Sequence, residues 1–180
     1  ADVMAGYRLM ADEIVEQLRA AGDAGPTHLF VQAGVGGLAA ALARGLCETH
    51  RLECRVVVVE PERVDCVGQA LRDGRIERLT GDLDTSAEML SCGEASAPAI
   101  EILRRVGALG MSVSEAALSE AVAVLRECGG PATTESGATG AAGLLTAGRA
   151  NRRRCRPGRT AVGVARTRPG PTPKGRPRIH

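Results

Sequence analysis

Three glycines, Gly34, Gly36 and Gly37, stand where the apolar run of residues 28–32 gives way to the alanine-rich stretch LAAALARGL. Glycine lets backbone amides come close to an anion, and the first amides of a helix point outward along the positive end of its dipole. A strand, a glycine turn and a helix in that order predict a phosphate cradle built from Gly34, Val35, Gly36, Gly37 and Leu38. The competing reading is close strand-to-helix packing with no ligand. A second set, Glu135, Ser136 and Gly137, offers a hydroxyl and amides at another expected helix start, either as a grip for a cofactor or carboxylate or as a plain cap. Glu60 closes the run VVVVE, as a ribose-binding acid or as a solvated strand end, while Asp12 and Glu13 read as surface charges. Cys92 and Glu94 flank Gly93, the thiol as a cofactor neighbour or as core filling, and the acid as a helix-start carboxylate.

The spacing narrows the choice of phosphate. A Walker loop needs Lys and then Ser or Thr after its glycines, where this chain has Leu38 and Ala39, which speaks against a nucleoside triphosphatase. Gly34, Gly36 and Ala39 can be read as the G-x-G-x-x-A of a dinucleotide fold, with Glu60 near the place of the ribose acid. The flavin register puts Gln32 where its first glycine belongs, so the nicotinamide or flavin dinucleotide match is one residue short either way.

Other segments point to a third phosphate. ADVMAGYRLMADEIVEQL, VQAGVGGLAAAL, VVVVEP, TSAEMLSCGEAS and TTESGATGAAGLL, in this order, resemble the fold-type II pyridoxal-phosphate enzymes, and within them the diaminopropionate ammonia-lyase family. The likeness spans residues 1–147. It implies an α/β fold, a parallel sheet with helices on both faces, as part of a tryptophan synthase β-like large domain. It also implies pyridoxal 5'-phosphate as cofactor, bound by Gly34, Val35, Gly36, Gly37, Leu38, Ser136 and Gly137, with Glu60 in a V-x-E-P turn whose role is structural or near the cofactor ring. The reaction it implies is α,β-elimination of the amino acid 2,3-diaminopropionate to pyruvate and ammonia, in a cytoplasmic enzyme whose full-length form is a homodimer.

One residue type is scarce in a way that bears on catalysis. All but one of the 23 Lys plus Arg residues are arginine, and the single lysine is Lys174. Such enzymes hold the cofactor as a Schiff base on a lysine amine, which arginine cannot replace because its guanidinium stays protonated. In the family that lysine and the α-proton base precede the segments found here. The expectation is therefore a carboxyl-terminal part of a lyase, inactive alone, with no catalytic residue of its own. A non-catalytic phosphate-binding subunit that pairs with a separate amino-terminal half is the alternative outside the oxidoreductases.

Charge divides the chain in two. Residues 1–148 carry 12 basic and 21 acidic side chains, and residues 149–180 carry 11 basic and none acidic, so the net +2 averages unlike pieces. Residues 1–148 are expected to be the partial cofactor-binding domain, and residues 149–180 a disordered Arg/Pro/Gly-rich tail. Alternatively the tail is a nucleic-acid or membrane-surface arm, or a shifted reading frame, since Arg, Gly, Pro and Ala dominate out-of-frame translation of GC-rich coding sequence. The acidic body and an aromatic content of 1% speak against a nucleic-acid module.

The remaining composition is permissive. The core must be built from Leu, Val, Ile and Ala, which leaves little scope for aromatic stacking on a cofactor. No apolar run is long enough to cross a membrane, and the opening has no signal-peptide pattern. The six cysteines form no C-x-x-C pair and no zinc spacing with His28, His50 or His180, so free thiols and no metal are expected.

Periodicity supplies the elements that must position these groups. Val3, Tyr7, Met10, Ile14 and Leu18 recur at helical spacing, and strands are expected at residues 28–32, 55–60 and 110–113. Helices are expected at 36–47, from Pro61 to 71, at 95–106, after a Ser114 cap to 127, and from 137 through 145. Such alternation means a parallel sheet covered on both faces, with ligands at the carboxyl ends of its strands.

Overall fold

A computed structural model of the chain describes residues 6–154 apart from Ala24. Val3 and the basic residues beyond Arg154 lie outside the described residues. Strands β1 (His28–Gln32), β2 (Arg55–Pro61) and β3 (Leu109–Val113) form one parallel sheet in that order, with Val58 opposite Val31 on one side and Gly110 on the other. Helices α1 (Arg8–Ala20), α2 (Gly37–Ala43), α3 (Cys66–Asp73), α4 (Ala97–Arg105), α5 (Glu115–Glu127) and α6 (Glu135–Arg154) complete the described elements.

The central strand explains why there are two cores. Side chains of a strand alternate between faces, so a run of four valines must be covered on both sides. Val56 and Val58 are buried with residues of α1 to α4, whereas Val57 and Val59 are buried with residues of α5 and α6. The expected parallel sheet with helices on both faces is what the structure has.

Helix α6 touches all three strands. It does so because Gly140 and Gly143 remove the side chains that would hold it off. A Cβ at Gly140 would stand 2.7 Å from the Phe30 carbonyl oxygen, and one at Gly143 would stand 2.6 Å from Val59 Cγ2. Helix α1 instead packs on α2 and the turn after it, with Ala11 against Gly45.

Several expected boundaries are met, and the exceptions have reasons. Strand β1 and the end of α5 fall where periodicity put them, and Ser114 caps α5 by accepting the Ala117 N–H. Helix α2 is shorter than expected, because Arg44–Thr49 widen into a π-helical turn in which the His50 N–H bonds the Gly45 carbonyl (2.9 Å). Pro61 closes β2 rather than opening a helix; a 3-10 turn, Glu62–Val64, intervenes before α3. The buried face of α1 centres on Ala11 and Val15, and Met10 is exposed. Helix α6 starts at Glu135 and continues through position 148 to Arg154, where Arg149 pairs with Glu120 of α5.

The close approach of α6 gives a pair of opposite expectations within one helix. Gly140→Ala, blocked by a backbone oxygen, is expected to lower stability by about 1–3 kcal/mol. Gly148→Ala, where a Cβ meets nothing within 4 Å, is expected to raise it by roughly 0.5–1 kcal/mol. Urea denaturation midpoints of the two variants check both signs.

Candidate functional site

The chain leaves β1 through Ala33, whose N–H still bonds the Val59 carbonyl (3.2 Å). It then turns through the glycines into α2 at the carboxyl end of the sheet. The three glycines have different reasons to be there. Gly36 has a left-handed φ of +94°, and a Cβ on it would press at 3.3 Å on both Ala99 Cβ and Val67 Cγ2. A Cβ at Gly34 would stand 3.1 Å from Cys92 Sγ. For these two, conformation and packing suffice. Gly37 is unlike them, because a Cβ there would meet nothing within 4 Å. The side-chain direction there is open.

The amides agree with that geometry. The N–H groups of Val35, Gly36, Gly37, Leu38 and Ala39 meet no acceptor among the described residues, and the first helical bond at this turn runs from the Ala40 N–H to the Gly36 carbonyl (2.9 Å). The Val35 carbonyl accepts the Ser96 N–H (2.9 Å), which fastens the loop to the start of α4, and the Cys66 thiol donates to the Gly34 carbonyl (3.3 Å). The turn is thus held through its carbonyls, while its amides have no partner among the described residues. That arrangement fits a phosphate.

Ser136 and Gly137 lie at the start of α6, linked to the loop by one intervening segment. The Met89 N–H donates to Ser136 Oγ (3.2 Å), and the Met89 carbonyl and Leu90 Cα lie 3.5 and 3.6 Å from where a Gly34 Cβ would be. The helix start is capped by a different hydroxyl from the one expected, since Thr134 Oγ1 accepts the Gly137 N–H (3.3 Å). Ser136 is therefore a brace for Met89 and not the cap. Cys92 is half-buried beside Gly34, and Glu94 is exposed ahead of α4.

The sequence model of the family described as "Pyridoxal-phosphate dependent enzyme" matches residues 1–165. The chain belongs to this family. It is similar to the diaminopropionate ammonia-lyase of Escherichia coli strain K12, at 35% identity over 147 residues, covering 79% of this chain and 36% of that protein. The crystal structure of the Escherichia coli diaminopropionate ammonia-lyase in complex with D-serine superposes with a TM-score of 0.70 at 30% identity, over 84% of this chain and 38% of the other. The crystal structure of the T.th. threonine deaminase superposes with a TM-score of 0.73 at 30% identity, over 81% of this chain and 51% of the other. The chain thus spans roughly a third to a half of the length of these relatives. The family fixes the cofactor class as pyridoxal phosphate and the fold as that of the fold-type II enzymes.

In this member of the pyridoxal-phosphate family, several acids have roles that spacing did not show. Glu60 is fully buried, so it is neither a solvated strand end nor available to a ribose. Its two carboxyl oxygens accept the N–H groups of Val67 (2.9 Å) and Gly68 (2.7 Å), the first-turn amides of α3. Beside it, Asp65 Oδ2 accepts from Arg72 (2.8 Å) and from the Ser112 hydroxyl (3.1 Å). Asp12, expected as a surface charge, is partly exposed and also reaches His50 Nε2 at 2.7 Å. Glu115 holds the loop before Met89, accepting from the Thr85 hydroxyl (2.7 Å) and from the Ser86 N–H (2.9 Å) and hydroxyl (2.6 Å). Burial pushes the Glu115 carboxyl up, but these hydrogen bonds outweigh it and hold it below the usual range. No group of three or more His, Cys, Asp or Glu suited to a metal exists among the described residues.

Burial pushes the Glu60 carboxyl up to about 8, against the downward pull of the two amides. The folded chain then binds a proton that the unfolded chain releases near 4.5. Stability therefore falls as pH rises from the unfolded value through the folded one, by on the order of a few kcal/mol, and levels off above it. Glu60→Gln cannot titrate and should flatten this part of the profile. Thermal midpoints of both proteins between pH 5 and 8 check it; parallel profiles would contradict the assignment.

Proposed function

We propose that this chain supplies the phosphate grip and one wall of the cofactor cleft of a pyridoxal-phosphate-dependent ammonia-lyase acting on 2,3-diaminopropionate. The observation that carries the reading is the set of amides at Gly36, Gly37 and Leu38 that meet no acceptor among the described residues, with open space beside Gly37, at the carboxyl end of a parallel sheet. A phosphate placed there receives several N–H donors at once and sits on the positive end of α2. Pyridoxal phosphate, when bound, supplies the electron sink that stabilises the charge left after an amino acid loses its α-proton. The 35% identity with the Escherichia coli lyase, held over 147 residues, supports diaminopropionate as substrate.

The chain's own residues bind and position. Val35, Gly36, Gly37 and Leu38 orient the phosphate, and the tie from the Val35 carbonyl to Ser96 stops the loop from swinging away. Ser136 fixes Met89 and with it the segment 88–92 that lines the loop, while Glu115 anchors the preceding turn. No lysine lies among the described residues. The amine that holds the cofactor covalently is then supplied from outside residues 6–154, and these residues bind the phosphate without turning over substrate. The dinucleotide reading loses support, because the acid it required is sealed against α3.

Calorimetric titration of the 180-residue chain with pyridoxal phosphate and with pyridoxal tests the reading. The phosphate ester should bind at least about tenfold tighter than the alcohol. Gly37→Asp, which puts a negative charge into the open side of the loop, should lower the affinity about tenfold or more with the circular dichroism spectrum unchanged. Equal binding of both ligands, or an unaffected Gly37→Asp variant, would overturn the cradle. Pyruvate formation from diaminopropionate by the chain alone would overturn its expected inactivity.

A further inference from the structure

The opposite end of α2 and β2 carries a feature that phosphate binding does not use. Cys47 lies in the π-helical turn after α2, and Cys54 immediately precedes β2. Their sulfurs are 3.4 Å apart, and Cys47 Sγ is also 3.7 Å from the Cys54 carbonyl oxygen. The separation in a disulfide is about 2.0 Å, so the two sulfurs need to approach by only about a further 1.4 Å.

The backbone holds the two thiols together without help from the sulfurs. The Leu52 N–H bonds the Leu46 carbonyl (2.9 Å), the Cys54 N–H bonds the Leu52 carbonyl (3.0 Å), and the Arg55 N–H bonds the Thr27 carbonyl (2.9 Å). Asp12 steadies His50 within the same turn. Both cysteines are half-buried, which leaves them reachable by a small reagent. Among the described residues no other two sulfurs are within hydrogen-bonding distance: Cys66 and Cys92 both lie against Gly34 without such a contact, and Cys128 is exposed.

We infer that Cys47 and Cys54 form an oxidisable dithiol, a modification site at which a disulfide oxidant such as oxidised glutathione installs an intrachain bond. The first thiolate attacks one sulfur of the oxidant and releases one glutathione as its thiolate, which takes up a proton. The second thiol gives its proton to solvent and displaces the remaining glutathione from the mixed disulfide. The protein loses two electrons and two protons, and one oxidised glutathione becomes two reduced molecules. Burial, with the Cys47 contact adding to it, pushes the Cys54 thiol up to about 12, which makes Cys54 a poor first nucleophile. The bond would close a short ring across the turn that joins the cradle helix to the central strand.

The test uses the full chain, reduced, desalted and exposed to oxidised glutathione before alkylation and tryptic mapping. Cleavage after Arg44, Arg51 and Arg55 puts the two cysteines on separate peptides, 45–51 and 52–55. The expected product is these two peptides linked, lighter than their sum by two hydrogen atoms and in at least about tenfold excess over any other linked pair. The oxidised chain should melt about 5–10 °C higher, reversibly with dithiothreitol. Cys47→Ser should abolish the linked pair, and Cys128→Ser should leave it. Recovery of both peptides singly alkylated, or of Cys47 linked to a different cysteine, would overturn the inference.

Discussion

The burial of β2 on both faces is the constraint on which the rest of the molecule depends. Four consecutive valines and a glutamate leave no side of this strand fit for water, so helices must cover it above and below. Its neighbours take their register from it, and its carboxyl end fixes where the glycine loop, α3 and the start of α6 meet. The Glu60 carboxyl extends the same logic past the last valine. A buried acid needs donors, and the first amides of α3 need an acceptor, so each satisfies the other. The loop behind which α3 packs is thereby held in place.

Glycine serves two purposes around this frame, and only the surroundings of each glycine separate them. Gly140, Gly143 and the contact of Gly68 with Gly110 let helices approach the sheet at backbone distance. Gly34 and Gly36 do the same for the loop, against Cys92, Ala99 and Val67. Gly37 alone in the loop has no neighbour to explain it, and it sits among amides with no partner. That difference turns a glycine-rich turn into a specific candidate for phosphate. The family supplies the cofactor that the turn would hold.

What was legible in the sequence was local. The strand at 28–32, the Ser114 cap and the glycine turn are set by residues within a few positions of one another, and the order of short motifs was enough to indicate the family. What was not legible depends on contacts distant in the chain. Glu60 looked like a strand end because nothing beside it reveals that α3 folds back onto its carboxyl. Ser136 looked like a cap because Thr134 is an equally good one and Met89 is 47 residues away. No C-x-x-C spacing marks Cys47 and Cys54, which meet because the π-helical turn bends the chain back. Lysine scarcity was plain from composition, and the described residues carry none.

At the centre of the account is a phosphate received by the unpaired amides of the glycine loop. The most direct measurement is the amide nuclear magnetic resonance spectrum of the isotopically labelled chain, with pyridoxal phosphate, pyridoxal and inorganic phosphate added in turn. The signals of Gly36, Gly37 and Leu38 are expected to move with both phosphate-bearing ligands and to stay in place with pyridoxal. Signals of these three residues that remain unmoved while others respond to pyridoxal phosphate would contradict it.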